Sequence, residues 1–223
     1  QLFISLHIPP LPHYPSLPHP FHRFAKAYML LGHVLSALQE SEHAISSYRT
    51  VSRLLPCDTR PMLYMARELV KTSNYTMAHH ILLAALDMSS NNVLILNELG
   101  VVLMCMERFE DALPYFHNGS KLISMARGLI PSQALNEEDE DGQMGQTGQH
   151  TNNHTNTNTS SSTALGSGHE YYGLELFSNY ATCLRKLGYV DESLVWYNRC
   201  LMMDATNVTI HGNIAYTLHL LRR

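Results

Sequence analysis

The chain has 223 residues, 45% of them hydrophobic and 15% charged, which is enough apolar material for one or two domains with a buried core. Its 15 Lys and Arg against 19 Asp and Glu create no one-signed field, which argues against nucleic-acid and membrane-surface partners. No apolar run reaches the roughly 18 residues of a membrane span, the N-terminus lacks the basic start and apolar centre of a signal peptide, and an intracellular protein is expected.

Residues 1–24 hold Pro9, Pro10, Pro12, Pro15, Pro18 and Pro20 together with His7, His13, His19 and His22, and no charged side chain before Arg23. Proline fixes φ and removes an amide donor, so this stretch is expected to be a disordered, extended tail. The histidines are irregularly spaced and have no acids among them, so they read as incidental composition and no metal site is expected. A chain opening on Gln1 is also expected to be a fragment, with a tail foreign to the natural protein a possible reading.

From Ala25 a spaced pattern begins. Counting Ala25 as position one, Tyr28 stands at four, Leu31-Gly32 at seven and eight, Leu35 at eleven, Ala44 at twenty, Tyr48 at twenty-four and Pro56 at thirty-two. Advancing by about 34 residues lands on Met62, Met65-Ala66, Leu69, Ala78 and Leu82, then on Leu96, Leu99-Gly100, Leu103, Ala112, Phe116 and Gly119. That is the tetratricopeptide pattern, a pair of antiparallel helices per repeat, here over 25–58, 59–92 and 93–126. Small residues at eight and twenty let the two backbones of a pair approach, and the large apolar positions fill the space between helices. The residues expected to carry this packing are Tyr28, Leu31, Gly32, Ala44, Tyr48, Ala66, Ala78, Leu99, Gly100, Ala112, Phe116, Ala181 and Tyr197.

Local signals place the helix ends. In the first repeat, helices are predicted near 25–38 and 42–55, with Ser41 capping the second and Pro56 marking its end. Pro61 falls in the first turn of the next helix, where its missing N–H costs little, and the turn at Asn74-Tyr75 leads into the helix after it. Pro114 lies in the first turns of the third pair's second helix, where a mild distortion and no break is expected.

Near Ile130 the composition changes. Residues 128–170 contain the acidic run Glu137-Glu138-Asp139-Glu140-Asp141 and then a tract of Gln, Asn, Thr, His, Ser and Gly. Such a segment buries too little surface to offset roughly 1–2 kcal/mol per residue of lost backbone freedom, so a disordered insertion is expected. The pattern resumes over 171–223. From Leu174, Phe177, Tyr180-Ala181, Leu184, Gly188, Ser193, Tyr197 and Cys200 fall in phase as a fourth repeat, 174–207. A fifth starts at Val208 with its first helix alone, 208–223, which leaves Ile214, Leu218 and Leu221 as an expected exposed apolar face. The fold class is therefore all-α, a tetratricopeptide-repeat superhelix.

No phosphate loop, nucleophile elbow or H-E-x-x-H motif occurs, and neither catalytic residues nor cofactors are expected. Cys57, Cys105, Cys183 and Cys200 form no C-x-x-C pair and read as reduced, mostly buried thiols. Three glycosylation sequons, at Asn74, Asn118 and Asn207, read as chance without a secretory context. What stacked helix pairs offer is a groove lined by the first helix of each repeat, suited to an extended or helical peptide. By phase, the lining includes His33, Leu63, Arg67, Asn97, Val101, Ser178, Thr182 and Arg185. The Lys-and-Asn clamp of co-chaperone domains needs Lys at position five and Asn at nine. Met29/His33 and Asn97/Val101 do not supply it.

The segments Gly32-His33, Glu40-Ser41-Glu42-His43 leading to Ala44 and Tyr48, Pro61-Met62-Leu63-Tyr64, Glu98-Leu99-Gly100-Val101-Val102 and Leu184-Arg185-Lys186-Leu187 narrow the likeness. Over about 25–126 and 171–223 the chain resembles the Cdc16-type scaffold subunits of the anaphase-promoting complex, including an insertion where that family has extra residues between repeats. The resemblance implies a non-catalytic scaffold of a multisubunit ubiquitin ligase acting in mitotic exit, in the nucleus and cytoplasm. It also implies partners among the other subunits, among them a very small one whose N-terminal segment lies in the groove. Homodimerisation in that family belongs to more N-terminal repeats. Ala66-Arg67 at positions eight and nine, and Ala181 in place of Gly, depart from the family pattern. A generic peptide-docking adaptor in trafficking or chaperoning is the alternative.

Overall fold

A computed structural model of the chain describes residues 19–126 and 168–221, and of 19–22 and 168–172 the backbone alone. The described residues are helical throughout apart from short connections: α1 His19–Ala37, α2 Ser41–Leu54, α3 Arg60–Lys71, α4 Tyr75–Met88, α5 Val93–Cys105, α6 Phe109–Ala126, α7 Gly168–Lys186, α8 Val190–Met203 and α9 Val208–Leu221. They fall into two compact units, α1–α4 and α5–α9, divided at Ser90 and Asn91. Residues 1–18 of the expected tail and 127–167, which hold nearly all of the expected insertion, lie outside the described residues.

Two boundaries differ from expectation. Helix α1 starts at His19, so Pro20 does not forbid it and residues 19–24 belong to the helix. The proline sits in the first turn, where an N–H would have no intrahelical acceptor. Helix α7 likewise starts at Gly168, ahead of the expected resumption at Tyr171. Pro114 lies inside α6, which continues across it. At α4 the cap is as the sequence signals, with Asn74 Oδ1 accepting from the Met77 amide. Ser41, by contrast, is not a cap: the N-cap is Glu40, and the Ser41 hydroxyl donates to Glu68 instead, at 2.8 Å.

The first helices α1, α3, α5 and α7 end the same way. Gln39, Ser73, Glu107 and Gly188 have φ of 65°, 60°, 61° and 91°, and each is position fifteen of its repeat. The next amide then reaches back across the left-handed residue to a carbonyl in the last turn: Glu40 to Leu35, Asn74 to Leu69, Arg108 to Leu103 and Tyr189 to Leu184, at 2.8–3.0 Å. This closure satisfies carbonyls the helix leaves open and turns the chain for the antiparallel partner. Only Gly188 adopts the conformation without Cβ strain.

Between the helices of a pair, small residues face rings. A Cβ on Gly32 would overlap the Tyr48 ring, and one on Gly100 would overlap the Phe116 ring. Ala44, Ala78 and Ala112 at position twenty, together with Ala66, Leu99 and Ala181, are at most 1% exposed, as are Tyr48, Phe116 and Tyr197. In unit 2 the buried set Leu103, Ala112, Phe116, Ile123, Leu176, Phe177, Tyr180, Cys183, Leu184, Tyr197, Cys200 and Ile210 forms one apolar cluster. In unit 1 the corresponding cluster is built on Ala44, Tyr48 and Met65.

Tyr28 and Leu31 do not behave as packing residues: they are 39% and 45% exposed. Positions four and seven are buried where a preceding second helix covers them, as α6 covers Phe177 and Tyr180 of α7. No described helix lies on that side of α1. At the other end, Leu218 and Leu221 of α9 are exposed as expected, while Ile214 is partly buried. Cys57 and Cys105 are exposed, against the expectation of mostly buried thiols; Cys183 and Cys200 are buried. Burial pushes these two thiols up to about 11 and about 12, so they remain protonated and inert.

Candidate functional site

The sequence assigns partner binding to the first helices: α1 and α3 in unit 1, α5, α7 and α9 in unit 2. In unit 1, His33 is half-buried, with Nδ1 2.9 Å from the Tyr48 hydroxyl and its ring edge-on to Tyr64 at 4.6 Å between centroids. The Tyr48 hydroxyl is pushed up to about 12, by burial first and then by the charge of Glu68 and the neighbouring Tyr64, so it stays a neutral partner for the imidazole. Arg67 is half-buried. Leu63 is 5% exposed, which closes it to a ligand in this conformation.

In unit 2 the same positions divide in the same way. Asn97 is 3% exposed and accepts from Asn179 Nδ2 at 3.0 Å, an amide pair that joins α5 to α7. The phase of a residue tells which way its Cβ points, but α5 and α7 approach closely enough to shut Asn97 in, and Leu63 is likewise buried. Val101 is half-buried against the apolar cluster. Ser178, Thr182 and Arg185 are half-buried and share one face of α7, four and then three residues apart. Thr182 Oγ1 donates to the Ser178 carbonyl, so the Tyr197 hydroxyl is the donor in the 2.8 Å bond between Thr182 and Tyr197. A polar residue at position nine thus anchors a tyrosine at twenty-four in both the first and fourth repeats, a pairing that the sequence displays as His33/Tyr48 and Thr182/Tyr197. Arg185 lays its guanidinium over the Tyr216 ring of α9, 4.8 Å from the centroid.

Sequence reasoning missed one polar cluster. Glu68, with a side chain 4% exposed, accepts from Ser36 at 2.5 Å, from Ser41 at 2.8 Å and from Lys71 at 2.7 Å; Lys71 also donates to Ser36 at 2.8 Å. Burial is the largest single influence on this carboxyl and raises it. The hydrogen bonds from Lys71, Ser36 and Ser41, with the lysine charge, outweigh burial and hold it below the ordinary glutamate range. The cluster ties α1, α2 and α3 together and plays a structural part. Among the described residues no three His, Cys, Asp or Glu side chains converge as a metal site, and no helix is long and apolar enough to cross a membrane.

Comparison with known proteins places this architecture. A family model described as a tetratricopeptide repeat matches residues 25–54. Anaphase-promoting complex subunit 6 of Arabidopsis thaliana is 27% identical over 197 residues, which cover 88% of this chain and 28% of that protein. Subunit CDC16 of Saccharomyces cerevisiae is 28% identical over 109 residues, 49% of this chain and 13% of its own length. Among solved structures, the APC/C hetero-tetramer Cut9–Hcn1 superposes with a TM-score of 0.65 at 20% identity, over 92% of this chain and 31% of that one, a likeness of fold. The chain spans less than a third of the curated relatives it matches. The described residues thus have an all-α tetratricopeptide-repeat fold, and the sequence is similar to subunit 6 of the anaphase-promoting complex.

Proposed function

We propose that the chain is part of a non-catalytic scaffold subunit of an anaphase-promoting ubiquitin ligase, acting in cell-cycle progression in the nucleus and cytoplasm. In this reading its first-helix faces hold a segment of a small partner subunit. The observation that carries it is sequence likeness over 88% of the chain to a subunit of that complex, on a fold whose packing logic is repeat by repeat. The fold supports polypeptide binding because paired helices leave their first-helix faces lined by half-buried groups such as Ser178, Thr182 and Arg185.

Affinity purification of the full-length natural protein tests the assignment. Co-purification of a cullin-like and a RING subunit, together with a small polypeptide, is the expected result. Recovery of a chaperone or a motor in their place would support a docking adaptor and overturn the ligase reading.

A further inference from the structure

Arg185 shares a cation–π setting with Arg199, which lies over the Trp196 ring at 4.3 Å, but Arg199 is exposed on α8 whereas Arg185 is half-buried. Arg60 and Arg108 lie on exposed surfaces and each grips a carboxylate at 2.7 Å, Asp58 and Asp111. Arg185 is half-buried on α7, its Nε is sealed from solvent without a hydrogen-bond acceptor, and among the described residues no carboxylate lies within ion-pair distance of it. What holds it is the face of Tyr216, 4.8 Å away, which orients the guanidinium plane without satisfying its donors. A cation partly withdrawn from water and left without a counter-ion is costly, and the cost is relieved when a partner brings the anion.

Its surroundings favour an anion. By helical phase, the ligand face of this end of unit 2 carries Ser178, Thr182 and Arg185 from α7, and Gly212, Tyr216 and His219 from α9. Thr182 already has both its hydroxyl proton and an oxygen lone pair in use, through Ser178 and Tyr197, so it offers little to a ligand. The nearest acid on the same face of α7 is Glu175, ten residues or about 15 Å back along the helix. Arg185 is the one Arg or Lys among these residues, and a carboxylate is the partner that a guanidinium fork takes in two-pronged fashion.

We propose that Arg185, steadied by Tyr216, is a specificity-determining residue that receives an Asp or Glu side chain of the bound polypeptide. The inference rests on the proposed peptide-holding role of this face and adds the chemistry of the segment it selects: an acidic residue set against the C-terminal end of α7.

An array of random twelve-residue peptides, synthesised in pairs identical except for one Glu replaced by Gln, tests it against the whole chain. Wild-type protein is expected to retain the Glu member of the best-bound pairs about tenfold better. Arg185→Gln should bring that ratio to about one while leaving helical content and the binding of Gln peptides unchanged. Arg185→Glu should favour the same peptides with Lys at the position. Binding by wild type without a preference for Glu, or a preference that survives Arg185→Gln, overturns this inference and leaves the peptide-holding role standing. If no peptide is retained by wild type at all, the peptide-holding role falls and the assignment of Arg185 falls with it.

Discussion

Replacing Phe116 by Ala should lower stability by about 3–5 kcal/mol, read as a fall in the urea midpoint of the whole chain. The ring is fully buried, and it lies directly on Gly100, where a Cβ would overlap it. Truncation therefore removes both the transfer energy of the ring and its contact with a bare backbone that cannot follow the withdrawal. The same geometry makes Gly100→Ala unfavourable: overpacking costs about 1–3 kcal/mol, against which the better helix propensity of alanine returns about 1. The second repeat already uses the other solution, with Ala66 at position eight and Leu82 at twenty-four, both buried. A Gly100→Ala/Phe116→Leu double variant should consequently be more stable than the sum of its two single changes by about 1–2 kcal/mol. Strict additivity would mean that the two positions do not meet as described.

Glu68→Ala is the second large effect, about 2–3 kcal/mol, because it strands the hydroxyls of Ser36 and Ser41 and unpairs Lys71. The figure is kept below that for a fully buried pair because the Lys71 side chain is 44% exposed and can return to water. A pH signature accompanies it. The folded-state value of this carboxyl lies below that of the unfolded chain, so its stabilisation is complete above the ordinary glutamate pKa and is lost as pH falls through the depressed value. Glu68→Gln should remove that component, giving an acid limb that falls less steeply than wild type in urea titrations between pH 6 and about pH 3. An unchanged acid limb would show that the carboxylate is not engaged in the folded state.

How much of this was legible follows from what repeats and what does not. Gly32, Gly100, Ala44, Ala112, Tyr48 and Phe116 could be placed in advance because the reason for each residue is local to one helix pair and recurs in the next. Glu68 could not. Position ten holds Val34, Val102 and Cys183 in the other repeats, so an acid there breaks the pattern, and its partners Ser36 and Ser41 lie 32 and 27 residues earlier. Tyr28 and Leu31 match the pattern perfectly but are exposed, because burial at those positions comes from a neighbouring repeat. Leu63 and Asn97 differ in the opposite sense: phase assigned them to a ligand face, whereas the fold buries both, Asn97 against Asn179 of α7. In the candidate site, then, the sequence indicated which face to examine, while the availability of Arg185 and the engagement of Thr182 depended on contacts between helices.

The claim that the first-helix face receives a partner polypeptide is tested most directly by photocrosslinking. A benzophenone side chain placed at Ser178 of α7, and in a parallel sample at Val195 of α8, which is 53% exposed, would be irradiated in the natural full-length protein before purification. The account predicts a covalent adduct with a small polypeptide from position 178 and none from 195. An adduct of that polypeptide from position 195 alone would contradict it.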